Sequence, residues 1–229
     1  MTSPIETEIN SHKDKKSIQK FIRVLLFFIP IVIILTISFA WWQYPEKYEF
    51  FQEFVSNLGG NKSELGFDNQ ISSLIMIIGF GIISLISLSI VIIYFIKKDL
   101  RYNISKAVFG LFLAIGAAGI AIPHDQPNLN IVHGIGAFMF ILGFTIFNFI
   151  AQVLRFIQRK KKIAHRKIGL AMDITVSLLV IFAMILFILF YILERVASGH
   201  VPIFLAELGQ KMVLIVDCIA VFFLDNRDM

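Results

Sequence analysis

A single cysteine, Cys218, stands in the 229 residues. It allows no intramolecular disulfide and no cysteine-based metal cluster, and its place in the last apolar run marks it as a small buried residue. Charge is scarce as well: 16% of residues are charged and 57% hydrophobic, with a mean hydropathy of +0.80, against roughly 25% charged in soluble domains. No stretch between the apolar runs is long enough for a water-soluble domain, so one membrane bundle is expected. The chain also lacks a phosphate-cradling glycine loop, a nucleophile elbow, a two-histidine helical zinc motif and an internal repeat. No motif therefore announces a reaction. The net charge of +5 would point to nucleic acid in a soluble chain, but here it lies in short loops, and membrane lipids are the expected partner.

What is present is a series of six apolar segments, each long enough to cross about 30 Å of hydrocarbon. They run Phe21–Trp42, Ile71–Ile96, Ile104–Ile122, Leu129–Ile157, Ile168–Glu194 and Ile203–Leu224. The expected fold is an all-α polytopic bundle of six transmembrane helices. Residues 1–20 form a basic cytoplasmic tail, 21–224 the bundle, and 225–229 a second short tail. The first segment loosely fits a cleavage pattern at Ser38-Phe39-Ala40, but its apolar core is too long for a signal peptide and "WWQY" follows as an interface belt. Lysine and arginine crowd the N-terminal tail and the second and fourth loops, including "RKKKIAHRK", while the alternate loops hold only Lys47, Lys62 and Arg195. Both termini are thus expected in the cytoplasm of a cell-membrane protein. The third segment, "GLFLAIGAAGIAI", is glycine-rich and should pack closely inside the bundle.

Polar residues within apolar spans are costly and mark candidate sites. On the extracytoplasmic side, "PHDQPNLNIVHGIG" joins spans three and four. Its prolines and asparagines suit a capped turn. His133 lies one turn into span four, on a stripe with Gly136, Phe140 and Gly143 that faces the bundle. His124, Asp125, His133 and His200 share that side of the membrane, and three imidazoles with a carboxylate suit zinc, although at no motif spacing. In span six, Glu207, Gln210, Lys211 and Asp217 fall along one helical face, which should look inward. Two readings stand: Glu207 and Lys211 neutralise one another at i,i+4, or the face lines an outward polar pocket binding a ligand through His133, Glu207, Gln210 and Lys211. Asp173 and Asp217 lie at similar depth and form a candidate proton relay. The first extracytoplasmic loop alternates aromatics and acids from Trp41 to Phe54, which predicts a short amphipathic helix followed by a turn at Gly59-Gly60 that roofs the pocket.

Three segments carry a resemblance: "FVSNLGGNKSELGFDNQISSLIM", "GIAIPHDQPNLNIVHGIGAFMF" and "AELGQKM". Together they resemble a prokaryotic six-span membrane family known as a domain of unknown function, the nine-nine-eight family. More distantly, the first is similar to a loop of membrane proteins related to the damage-regulated autophagy modulators and the glycolipid-anchor remodelling factors. The aspartate of the family's S-D-L-G is Asn57 here, so a role needing a carboxylate at that point is not carried over. The resemblance implies the six-span architecture and lipid-linked work, and no reaction. The functional expectation is a protein that binds or senses a lipid or small ligand. The alternatives are a metal-dependent hydrolase or transferase acting on a lipid head group, with His133 and Glu207 as catalytic candidates, and a small proton-coupled transporter using Asp173, Lys211 and Asp217.

Overall fold

The fold is that of a computed structural model, which describes residues 4–126, 128–160, 167–197, 204–225 and 229, with side chains described over 13–126, 128–153, 171, 174–196, 204–225 and 229. Among these residues there are six α-helices, one short 3-10 helix and no strand: α1 Pro4–Gln43, the 3-10 helix Val55–Gly59, α2 Gln70–Ile96, α3 Asn103–Ile120, α4 Asn130–Lys160, α5 Lys167–Ala197 and α6 Leu205–Phe222. The first five contain stretches long and apolar enough to cross a membrane. α6 matches α3 in length at 18 residues but carries Glu207, Lys211 and Asp217.

Consecutive helices pack side by side, and α6 closes the bundle against α5, α4 and α1. The outer surfaces of α1, α2 and α5 expose rows of Ile, Leu and Phe. Among apolar helices there is no hydrophobic gain in association, so close backbone approach must supply the packing. The α3–α4 seam does this with glycine. A Cβ on Gly119 would stand 2.6 Å from the Gly136 Cα, and one on Gly143 would stand 2.5 Å from the Leu113 backbone nitrogen. The glycine-rich third segment thus packs closely on α4, as expected, but it is not interior: it lies between α2 and α4 and exposes Ile104, Val108 and Ile115. His133, Gly136, Phe140 and Gly143 are all buried along the expected stripe of α4.

The loop between α1 and α2 departs from the expected amphipathic helix. α1 ends at Gln43, and residues 44–54 run through turns into the 3-10 helix. Pro45 cannot donate to a continuing helix, and the aromatic side chains pack on one another instead: Trp41 stacks on Phe50 at 5.7 Å and meets Tyr48 edge-on at 5.6 Å. The "SNLGGN" stretch hangs from the start of α2. Asn69 Nδ2 donates to the carbonyls of Leu58 and Gly60, Ser72 Oγ to Leu58 and Ser73 Oγ to Gly59. Glycine at position 60 permits a close approach, since a Cβ there would meet His124 Cε1 at 2.7 Å and the Lys62 carbonyl oxygen at 2.9 Å. The loop is thus a built roof over one end of the bundle.

Candidate functional site: a cleft beneath the roof

Beneath the roof, α4, α5 and the start of α6 diverge around a cavity of about 610 Å3, within the roughly 300–1,000 Å3 range of small-molecule sites. Phe138, Ile141, Phe187 and Ile188 form its apolar walls, and Ser56, His133, Tyr191, Glu194, Arg195 and Gln210 supply polar groups. Ile135, Phe138, Ile188 and Tyr191 line the cavity yet are also exposed at the bundle surface. The cleft therefore opens sideways between α4 and α5.

His133 is only 5% exposed. Its Nδ1 lies 2.7 Å from the carbonyl oxygen of Ile122, at the end of α3. A carbonyl can only accept, so Nδ1 carries the hydrogen and a neutral ring keeps the lone pair on Nε2. Nε2 is buried and has no hydrogen-bond partner among the described residues. The His124 ring stands 5.6 Å away, centroid to centroid.

The expected zinc constellation does not assemble among the described residues: no three His, Cys, Asp or Glu side chains gather there as a metal group. Asp125 points into the roof, accepting from Asn61 Nδ2 at 3.3 Å and from the Lys62 backbone N–H at 3.0 Å. His200 lies outside the described residues. The histidines that remain near one another are His124 and His133.

The polar face of α6 is divided among three surroundings. Gln210 lines the cleft, and its Oε1 accepts the Val55 backbone N–H at 2.9 Å. Lys211 turns the other way, donating to the Glu53 and Glu207 backbone carbonyls, with its ammonium 5.2 Å from the Phe50 ring centroid. Its contacts among the described residues are backbone carbonyls and aromatic faces, and the i,i+4 ion pair of one of the two readings is not among them, because the aromatic roof offers a cation both ring faces and an acceptor. Glu207 is buried, with Oε2 unpaired among the described residues, while its carboxyl group lies within hydrogen-bond reach of the Glu194 side chain. Glu194 also accepts the Ala206 backbone N–H at 2.8 Å, satisfying one of the open donors at the start of α6.

Asp217 sits deeper, 1% exposed, against α4. Thr145 Oγ1 donates to Oδ2 at 2.6 Å, and Asn148 Nδ2 reaches Oδ1 and the Asp217 carbonyl at 3.2 Å each. One turn on, Gln152 Nε2 donates to the Ala220 carbonyl at 3.0 Å. The side chain of Asp173, the other half of the expected relay, lies outside the described residues.

Above the cleft the roof holds its own ionisable groups. Burial pushes the Glu53 carboxyl above the usual carboxylate range, partly offset by the Glu49 backbone N–H donating to it at 2.8 Å. Burial likewise pushes the Tyr44 phenol up to about 12.

Sequence reasoning missed the Tyr191–Glu194–Arg195 rim and the Thr145–Asn148–Gln152 ladder. The signals were present. "YILER" places two charges at the end of an apolar run, and Thr145, Asn148 and Gln152 repeat at three and four residues on one helix face. No family model, curated protein or solved structure matches this chain. The family resemblance therefore rests on its three segments alone.

Proposed function

We propose that this chain is a cell-membrane protein of six spans with both termini in the cytoplasm, and that the cleft beneath its roof holds a lipid or a lipid-like small ligand. The observation that carries the reading is the cleft itself: apolar walls, a polar rim and a lateral mouth between two apolar helices. A ligand with a chain and a head group could enter such a mouth from the bilayer without crossing water.

Inclusion of α6 among the spans is supported by where its charges lie. Glu207, Lys211 and Asp217 are buried, while Met212, Ile215, Ile219 and Phe222 are the exposed side chains, so lipid would meet an apolar surface. The orientation is supported by the basic residues at the end opposite the roof, including Lys97, Lys98 and Arg101 in the α2–α3 loop. The three-segment resemblance to the six-span family is consistent with this architecture.

The test is native mass spectrometry of the gently solubilised protein beside a Phe138→Trp/Ile188→Trp variant. Retained lipid or ligand that disappears when the cleft is filled supports the reading; equal retention in both proteins overturns it. A second reading is a hydrolase or transferase acting on the bound head group. It is favoured by two buried acceptor atoms, His133 Nε2 and Glu207 Oε2, without partners among the described residues. Turnover of a labelled phospholipid, lost in Glu207→Gln, is its test.

A further inference from the structure

We propose that the cleft recognises the acyl carbonyl of its lipid: Gln210 and Ser56 donate to an ester oxygen, so the site takes ester-linked lipids in preference to ether-linked ones with the same head group and chains. The proposal rests on the lipid reading and names the bond by which that lipid is chosen.

The fold orients the Gln210 amide. Its Oε1 accepts the Val55 backbone N–H at 2.9 Å, which leaves both amide hydrogens on Nε2 as donors. Neither Nε2 nor the hydroxyl of Ser56, the next residue after Val55, has a hydrogen-bond partner among the described residues, and neither is sealed by burial as His133 Nε2 is. Both side chains are half-buried and line the cleft. With Ala137 and Ile141 they also line an adjoining void of about 30 Å3. Two unclaimed donors thus border space that a ligand can occupy.

Their depth decides what kind of acceptor they meet. A Cβ on Gly209 would stand 3.0 Å from the Phe187 Cα, so the Gln210 turn of α6 lies beside Phe187, roughly 12 Å of helix inward from Arg195 on α5. The charged lining residues, Glu194 and Arg195, are at the rim, whereas Phe138, Ile141, Phe187 and Ile188 wall the cleft at the Gln210 level. A phosphate or carboxylate carried that far would leave water without meeting a counter-charge. An acyl carbonyl suits the place: it is uncharged, sits between head group and chain, and offers lone pairs for two donors with no hydrogen to leave unmet. An alkyl ether keeps the chain and lacks that oxygen.

The experiment is a competition. The full-length protein in detergent is offered equal amounts of diester and diether phospholipids with the same head group and chain length, and retention is read by native mass spectrometry. The expected result is a preference for the diester of roughly two- to tenfold, the net value of one hydrogen bond. Equal retention, or preference for the diether, overturns the selection while leaving a lipid-binding cleft intact. Retention of neither overturns both. Ser56→Ala should reduce the preference, and Ser56→Ala/Gln210→Glu, which keeps an acceptor for the Val55 N–H and removes the amide donors, should abolish it while lipid is still retained. A preference that survives in the double variant overturns the assignment to these residues; should the variants fail to fold, the wild-type competition alone decides. The diacetyl analogue, which has the head group and both esters without long chains, separates the sources: failure to compete supports a membrane lipid, and displacement at comparable concentration overturns the lipid in favour of a water-soluble ester.

Discussion

Asp217 and His133 are both polar, both buried and both set in helices of the same bundle, yet they are treated differently by their neighbours. Both carboxylate oxygens of Asp217 are met, one by Thr145 and one by Asn148. His133, which lines the cleft, has one ring nitrogen bonded to Ile122 and the other buried without a partner among the described residues. An expensive residue whose groups are all satisfied by the adjacent helix holds the helices in register; one in a cleft-lining side chain that keeps an unmet buried acceptor does not have its whole cost met by the fold. Burial alone does not separate the two roles.

The largest effects should come from the seam that supports both. Gly136→Leu should abolish recovery of folded, monodisperse protein, because its side chain would enter the α3 backbone, whereas Gly134→Leu, with open space at its Cβ, should be tolerated. Size-exclusion chromatography after solubilisation reads the contrast.

Asp217→Leu comes next, with an expected loss of about 1–3 kcal/mol in thermal or denaturant unfolding, because the Thr145 hydroxyl and the Asn148 amide lose their acceptor. A double-mutant cycle with Thr145→Val should return a coupling on the order of 0.6–1.7 kcal/mol. A coupling near zero would erase the distinction drawn between the two sites. His133→Leu should cost less than about 1 kcal/mol of stability, since one hydrogen bond is lost at a helix end while apolar volume is gained. Its effect should appear in ligand retention instead.

The smallest effect concerns the roof. Because the folded Glu53 carboxyl binds its proton more tightly than an exposed one, the roof is stabilised at acid pH and that contribution is lost as pH rises from 4.5 through the folded value. Amide exchange across residues 46–58, corrected for intrinsic rate, should slow as pH falls through that window. Glu53→Gln should flatten the dependence.

Much of the architecture was legible because a membrane imposes simple rules. Length and hydropathy located every helix to within a few residues at the roofed end, and glycine marked span three and the His133–Gly143 stripe of span four as close-packed, though that the two pack on each other appears only in the structure. The aromatic loop was misread because alternating aromatics and acids fit an amphipathic helix, while Pro45 and ring-on-ring packing favour turns. A pairing of Lys211 with Glu207 was one legible reading because an i,i+4 pair is local in sequence, whereas its acceptor on Glu53 lies 158 residues away and was not legible. The cleft could not be read from any single segment, since its rim combines the ends of α4, α5 and α6 with the roof. A ladder such as Thr145–Asn148–Gln152 becomes visible only once its apolar surroundings make each polar residue expensive.

The roof has a consequence for the order in which the protein is made. Its loop emerges early, directly after α1, yet Val55 and Glu53 wait for acceptor and donor on α6, 155 and 158 residues further along the chain. During synthesis the loop can settle on α2 through Asn69, Ser72 and Ser73, but its closure over the bundle is deferred until the final helix arrives. A ribosome-bound chain stopped before α6 would therefore present an open, protease-sensitive loop, and sealing it would be the last act of biogenesis.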